Sequence, residues 1–210
     1  MPARLVMHNT LPSTESALHK LEDIYRAASV IECNGQLVTI NAFTDQCEPL
    51  NPEILSGIAE LIAERLESID YDIIIGEEDK GAHIATAVAL RTGKPFILAR
   101  WYVYPIEEVH PSAAVVQIDS EYYKGRLILN GLPARTRVVL IEDTVSTGGT
   151  VIALIDCVRA RSAQVAGVIA VVEKVDNGGV PRIRSATGVP VETLMSIRVR
   201  RDGVEVLAAV

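Results

Sequence analysis

The chain has little from which to build a metal centre, a disulfide framework or a nucleic-acid surface. Its three cysteines, Cys33, Cys47 and Cys157, are odd in number, widely spaced and without a CxxC pair. That pattern points to reduced structural thiols rather than to bridges or a zinc site. Four histidines (His8, His19, His83 and His110) are scattered with no HExxH, so a protein-ligated metal is not expected. Cations are outnumbered, 20 Lys and Arg against 27 Asp and Glu, for a formal net charge of −7. Sequence-independent nucleic-acid binding needs clustered cations, and the balance argues against it. No basic region followed by a long apolar run opens the sequence, and no stretch approaches about 18 uninterrupted apolar residues. Neither export nor a membrane span is expected; a soluble, cytoplasmic protein is. Repeats, low-complexity tracts and linkers are also missing.

What is present fits one domain over 1–210. At 210 residues, 49% apolar and a mean hydropathy of +0.24, the chain can bury a full core and is not disordered. Ser13 and Thr14 are N-cap choices for a helix carrying Leu18, Leu21, Tyr25 and Ala28 on one face. Asn34-Gly35 separates Val30–Cys33 from Leu37–Ile40 as a hairpin turn. Asn51 and Pro52 open a second helix with Leu55, Ile58, Ala59, Ile62 and Leu66 on one face. From Asp72, short buried strands alternate with helices: Ile73–Gly76, a helix from Gly81 to Thr92, Phe96–Ala99, a long loop, Val138–Ile141, a helix to Arg161, and Val165–Val172. Such alternation predicts an α/β fold with a doubly wound, mainly parallel sheet. The tail predicts another hairpin, Val191–Val199 with Val204–Leu207 around Asp202-Gly203. Residues 1–45 and 176–210 are expected to meet as a small hood lobe over the carboxyl ends of the strands, the edge where open α/β sheets bind ligands.

The most informative segment is Val138 to Thr150, VVLIEDTVSTGGT. Four apolar residues suit a strand buried on both faces. Two carboxylates, Glu142 and Asp143, follow, then a loop of Thr144, Val145, Ser146, Thr147, Gly148, Gly149 and Thr150, then the helical period of Val151, Leu154, Ile155 and Val158. Backbone N–H groups and the hydroxyls of Ser146, Thr147 and Thr150 can donate to a phosphate at the positive end of that helix. Gly148 is expected to let the loop approach the phosphate. No Lys follows the glycines, and the GxGxxG spacing is missing, so the commoner nucleotide loops do not apply. Carboxylates a strand-end away from a monophosphate can accept from sugar hydroxyls or meet positive charge on a sugar ring. Together these residues ask for a phosphorylated ribose.

Two further stretches join the site. After Ile73–Gly76, the run Glu77-Glu78-Asp79-Lys80-Gly81 is a second strand-to-helix junction, and its N–H groups with Lys80 would suit a pyrophosphate. Arg100 to Asn130 shows no clear periodicity and reads as a lid that closes over a reactive cation. It carries Glu107, Glu108, His110, Gln117, Asp119, Glu121, Tyr122, Tyr123 and Lys124.

The Val138–Thr150 segment resembles the signature of type I phosphoribosyltransferases, and the likeness extends along nearly the whole chain toward the archaeal-type hypoxanthine/guanine enzymes, relatives of adenine phosphoribosyltransferase. Val38–Asp45 (VTINAFTD), Asn51–Leu55, Tyr123–Leu132 (YKGRLILNGL) and Val191–Leu207, with VETLMSIRV and DGVEVL, resemble further segments of that family in order. Two departures stand out. After the third strand the family usually carries several cations that serve pyrophosphate, whereas Arg100 is followed here by Trp101, Tyr102, Val103 and Tyr104. Those aromatics read either as packing against a second subunit or as a surface that stacks on a planar ligand. Glu142-Asp143 also stands where many relatives have Asp-Asp.

The resemblance implies transfer of the ribose 5-phosphate of 5-phosphoribosyl 1-pyrophosphate to a purine-type base, with release of pyrophosphate. It places Glu142 and Asp143 on the ribose hydroxyls and the developing cation, Thr144–Thr150 on the 5′-phosphate, and Asp79, Lys80, Gly81 and Arg100 at the pyrophosphate. Lys174, with Asp176 and Asn177, falls where relatives read the base. Mg²⁺ is implied as a cofactor held through the substrate's oxygens with few direct protein ligands, Glu142 and Asp143 being the candidates, and a homodimer is implied as the assembly. Ser146 occupies the position where some purine relatives carry an Asp base, so Glu121, at the lid's return, is the substitute for taking the proton. Two other readings stay open: a non-purine heterocycle as acceptor, and a non-catalytic regulator that senses 5-phosphoribosyl 1-pyrophosphate.

Overall fold

Period-two apolar strands that alternate with amphipathic helices set the architecture. In the computed structural model, residues 14–101, 105–108, 114–119 and 124–209 are described. The chain runs α1 (Thr14–Arg26), β1 (Ser29–Cys33), β2 (Gln36–Ile40), α2 (Pro52–Leu66), β3 (Ile73–Glu77), α3 (Ala82–Thr92) and β4 (Phe96–Ala99). It continues through β5 (Ala114–Asp119), β6 (Lys124–Leu129), β7 (Arg137–Val145), α4 (Gly149–Ala160), β8 (Gln164–Lys174), α5 (Gly179–Thr187), β9 (Val191–Arg200) and β10 (Gly203–Ala209). Single 3-10 turns sit at Ile106–Glu108 and Val175–Asn177.

Six strands form the central sheet in the order β10-β9-β8-β7-β3-β4. Every neighbouring pair is parallel except β9 with β10. Parallel pairs need crossovers, and the crossover helices cover both faces. Successive side chains therefore enter different cores. Val138, Leu140, Val168 and Ala170 pack with α4, α5 and the β5–β6 pair, while Val139, Ile141, Ile169 and Val171 pack with α1, α2 and α3. The chain leaves β3 toward β4 and then returns to the far side of β3 as β7. The reversal opens a crevice at the carboxyl ends of β3 and β7.

The helix starts and the hairpin agree with the sequence. The Asn51 side chain accepts from Glu53 N at 2.9 Å, with Pro52 opening α2. On α1 the buried stripe is Ala17, Leu21 and Tyr25; Ala28 lies past the helix end, and Ser13 falls outside the described residues.

Three expectations are corrected. The β7 strand does not stop at Ile141. Its partner β8 is long, and the ladder continues through Thr144↔Val172 and Val145↔Glu173, so Glu142 and Asp143 lie within the strand and the loop shortens to 146–148. The stretch Arg100–Asn130 is not without regular structure: β5 and β6 pair antiparallel, and Ala114, Leu127 and Leu129 join the α4-side core. The C-terminal strands do not form a lobe apart, because β9 pairs parallel with β8 and extends the main sheet. The N-terminal elements still meet them; Arg201 bridges Glu32 at 2.7 Å across the two hairpins.

Helix α1 lies on α2 through a close pair: a Cβ at Gly57 would fall 2.2 Å from the Ala17 Cβ. Gly57→Ala should therefore lower the melting temperature, although Ala favours a helix by about 1 kcal/mol over Gly. The overpacking should cost about 1–3 kcal/mol and be relieved by adding Ala17→Gly. Calorimetry of both variants checks it; a stabilised single variant would mean the helices do not touch there.

Candidate functional site

Two strand-to-helix loops converge on the crevice. Helices α3 and α4 each begin at a glycine cap, Gly81 and Gly148, with no side-chain cap bond. Their first-turn N–H groups are thereby left for a ligand at the positive ends of two dipoles. Between the loops lies a cavity of about 500 Å³. One wall is Glu142, Asp143, Thr144, Ser146 and Thr150 from β7 and α4; a second is Glu77, Glu78, Asp79 and Lys80 after β3. Thr39 and Thr44 close it from the β2 side, Lys174 from the end of β8 and Trp101 from beyond β4.

Of the residues expected at the site, Asp79, Lys80, Glu142, Asp143, Thr144, Ser146, Thr150 and Lys174 are brought together on this cavity. Gly81 sits beside it, where an added Cβ would lie 3.7 Å from Glu142 Oε1. Val145 is buried in the core, and Thr147, Gly148 and Gly149 make the turn without lining the wall. Gly148 has φ +81°, and its missing Cβ would meet Ile183 Cγ1 at 2.8 Å and Gly179 O at 3.0 Å. Glycine is thus required there by α5 packed behind the loop. Arg100 is exposed outside the wall, its Nε donating to Glu78 Oε2 at 2.7 Å. Glu121, Tyr102 and Tyr104 fall outside the described residues. Trp101 packs within its own chain, against the α4-side core, with its indole N–H donating to Glu77.

Carboxylates dominate the electrostatics. Glu142 is buried, and its Oε2 has no hydrogen-bond partner among the described residues. Burial, reinforced by the Asp143 charge, pushes Glu142 well above the usual carboxylate range. Burial likewise pushes Glu77 up to about 7, against the pull of the Trp101 hydrogen bond. Two cations face this set. Lys80 Nζ donates to Asp45 Oδ1 at 2.6 Å, and Lys174, 4% exposed, donates to Leu37 O at 3.3 Å. Asp45 is held in turn by the Asn41–Thr44 turn, where Thr44 Oγ1 donates to Asp45 Oδ2 at 2.8 Å. An acidic strand end, neutral donors on two helix starts and fixed cations can hold a polyanionic sugar and stabilise positive charge on its ring.

The place of Trp101 on the wall agrees with the ligand-facing one of its two readings, whereas Glu77, Thr39 and Thr44 are not singled out by the sequence. Glu77 reads there as one of a run of loop charges, yet it is the last residue of β3 and points to the carboxyl edge of the sheet. Thr39 comes from β2 and Thr44 from the turn after it, far away in sequence, and neither is singled out within the resembling segment VTINAFTD.

With the geometry in place, residues 50–192 match the phosphoribosyl transferase domain family. The chain is 33% identical over 189 residues to a hypoxanthine/guanine phosphoribosyltransferase of Methanopyrus kandleri, covering 89% of this chain and 96% of the relative. It is 35% identical over 182 residues to the protein of that name from Methanothermobacter thermautotrophicus, covering 87% and 91%. Among solved structures, adenine phosphoribosyltransferase of Rhodothermus marinus superposes with a TM-score of 0.67 at 20% identity, covering 87% of this chain and 99% of that one. The Trypanosoma brucei adenine enzyme in complex with AMP, pyrophosphate and ribose-5-phosphate gives 0.66 at 20%, covering 86% and 79%.

The buried acid gives a pH signature. A carboxyl with a folded pKa near 7, against 4.5 for an ordinary glutamate, leaves stability intact below 4.5 and erodes it as pH rises toward 7. Glu77→Gln should therefore gain stability over wild type across that window and hold a constant gain above it, with a ceiling of about 3 kcal/mol. Denaturant midpoints at several pH values test this; a gain that does not change with pH would mean Glu77 titrates normally.

Proposed function

The chain belongs to the phosphoribosyltransferase family, and from that premise we propose that it joins a purine base to the ribose 5-phosphate of 5-phosphoribosyl 1-pyrophosphate, releasing pyrophosphate. The observation that carries this reading is the meeting of the Glu142–Asp143 pair and both helix-start loops on one cavity. Glu142 and Asp143 accept from the ribose hydroxyls, and Asp143 offsets positive charge on the ring as the bond to pyrophosphate breaks. The loop from Thr144 to Thr150 anchors the 5′-phosphate, and that binding positions the anomeric carbon. Asp79, Lys80 and Gly81 receive the pyrophosphate, with Arg100 behind Glu78. Glu121 takes the proton that the base loses.

Lys174 favours a 6-oxopurine. An ammonium has only donors, so it pairs with a carbonyl oxygen and not with an exocyclic amine. Mg²⁺ fits the donor set: Glu142 Oε2 is buried at the cavity without a partner among the described residues. The ion would be held through the substrate's oxygens with Glu142 or Asp143, and it supplies charge screening for the leaving pyrophosphate. No described helix is long and apolar enough to cross a membrane, and we place the protein in the cytoplasm. A homodimer is proposed on the side of α3 and β4, where Leu90 and Phe96 are exposed.

The test is a screen of hypoxanthine, guanine, adenine and non-purine heterocycles with 5-phosphoribosyl 1-pyrophosphate and Mg²⁺, following pyrophosphate release. The 6-oxopurines should turn over best. Tight binding of the sugar with no turnover on any base would replace the enzyme reading with a sensor. Asp143→Asn nearly conserves shape and removes charge; its turnover should fall by about 10²-fold or more while calorimetric binding of 5-phosphoribosyl 1-pyrophosphate changes less. Full turnover in that variant would remove Asp143 from the mechanism.

A further inference from the structure

The phosphate loop does not stand alone; the segment from Asn177 to Arg182 holds it from behind. Asn177 Nδ2 donates to Ser146 Oγ at 2.6 Å, and Arg182 NH1 donates to Thr147 O at 3.0 Å. The backbones touch as well: a Cβ at Gly179 would fall 2.1 Å from Ser146 O. The direction of the first bond matters. A hydroxyl oxygen has one proton to give and lone pairs to receive. With Asn177 already donating to it, Ser146 keeps its own proton for another acceptor, and Ser146 is on the cavity wall. The second bond acts similarly through the peptide plane. In a trans peptide the Gly148 N–H points opposite to the Thr147 carbonyl, so a carbonyl held by Arg182 aims that N–H away from α5.

We propose that Asn177 and Arg182 are positioning residues of the phosphate loop, with Asn177 fixing Ser146 as a hydrogen-bond donor to the ribose 5′-phosphate. The proposal rests on the phosphoribosyl reading of the site. It assigns work to side chains that do not line the cavity, on a 3-10 turn and helix start that follow the strand ending at Lys174. The stretch from Lys174 to Arg182 therefore spans from the cavity wall to the back of the phosphate loop, so that wall and loop are set by one short piece of chain.

Asn177→Ala frees the Ser146 hydroxyl to rotate, and binding of ribose 5-phosphate, titrated by calorimetry, should weaken by about tenfold. Binding of pyrophosphate, which uses the other loop, should change less than twofold. With 5-phosphoribosyl 1-pyrophosphate, KM should rise while kcat moves less. Asn177→Asp keeps the shape but reverses the bond, since its carboxylate takes the Ser146 proton; it should bind ribose 5-phosphate more weakly still. In a Ser146→Ala background, Asn177→Ala should add little, because the group it acts through is gone. Melting temperatures of the variants separate positioning from unfolding. Additive losses in the double variant, or equal weakening of both ligands, would overturn the role of Asn177. A wild type that binds pyrophosphate but not ribose 5-phosphate would instead overturn the reading of the loop itself.

Discussion

Three residue pairs, Ile73↔Val138, Ile74↔Val139 and Ile75↔Leu140, join β3 to β7 in parallel register, and the site depends on them. These strands are more than 60 positions apart in sequence, and their pairing puts two loops with unlike chemistry at adjacent strand ends. A register slip of one residue would exchange the faces of the sheet. Val139 and Ile141 would leave the α1–α3 core, and Glu142 would turn from the crevice. Burial of apolar residues on both sides of β7 thus fixes a carboxylate pair that is itself costly to bury.

Among the described residues, the cavity offers few side-chain cations to an anion. Five carboxylates wall it, Glu77, Glu78, Asp79, Glu142 and Asp143, against Lys80 and Lys174. Both lysines have protein acceptors, Asp45 and Leu37 O. The described donors that remain to meet a phosphate are largely neutral, the N–H groups and hydroxyls at the starts of α3 and α4, whose dipoles add positive potential. Where the family resemblance leads one to expect further cations after Arg100, an indole hydrogen-bonds to Glu77. Raising the proton affinity of Glu77 and Glu142 lowers the net negative charge that a phosphorylated ligand meets.

Much of this was legible from the sequence. Val138–Thr150 declared a strand, acids, loop and helix in order, and the buried alternation of Val138 to Ile141 was read correctly because both faces are covered. The end of β7 was not legible, since its extension depends on the length of β8, a partner that local pattern does not reveal. The β5–β6 pair was hidden because AVVQID and KGRLIL alternate weakly, and Ala114, Leu127 and Leu129 are tied together only by the core beside α4. Thr39 and Thr44 reach the cavity through long-range packing of β2. A constraint on Gly148 that comes from α5, about 30 residues later, is illegible for the same cause.

The position of Trp101 carries a practical consequence. It is the only tryptophan in the chain, it forms part of the cavity wall, and its ring nitrogen is tied to a carboxyl whose charge changes near neutral pH. Excited at the red edge of its absorption, where the six tyrosines contribute little, the protein emits from a single indole placed on the cavity wall. Occupancy of the cavity, ionisation of its neighbour and collapse of the surrounding core can each be followed by that one native chromophore without attaching a label.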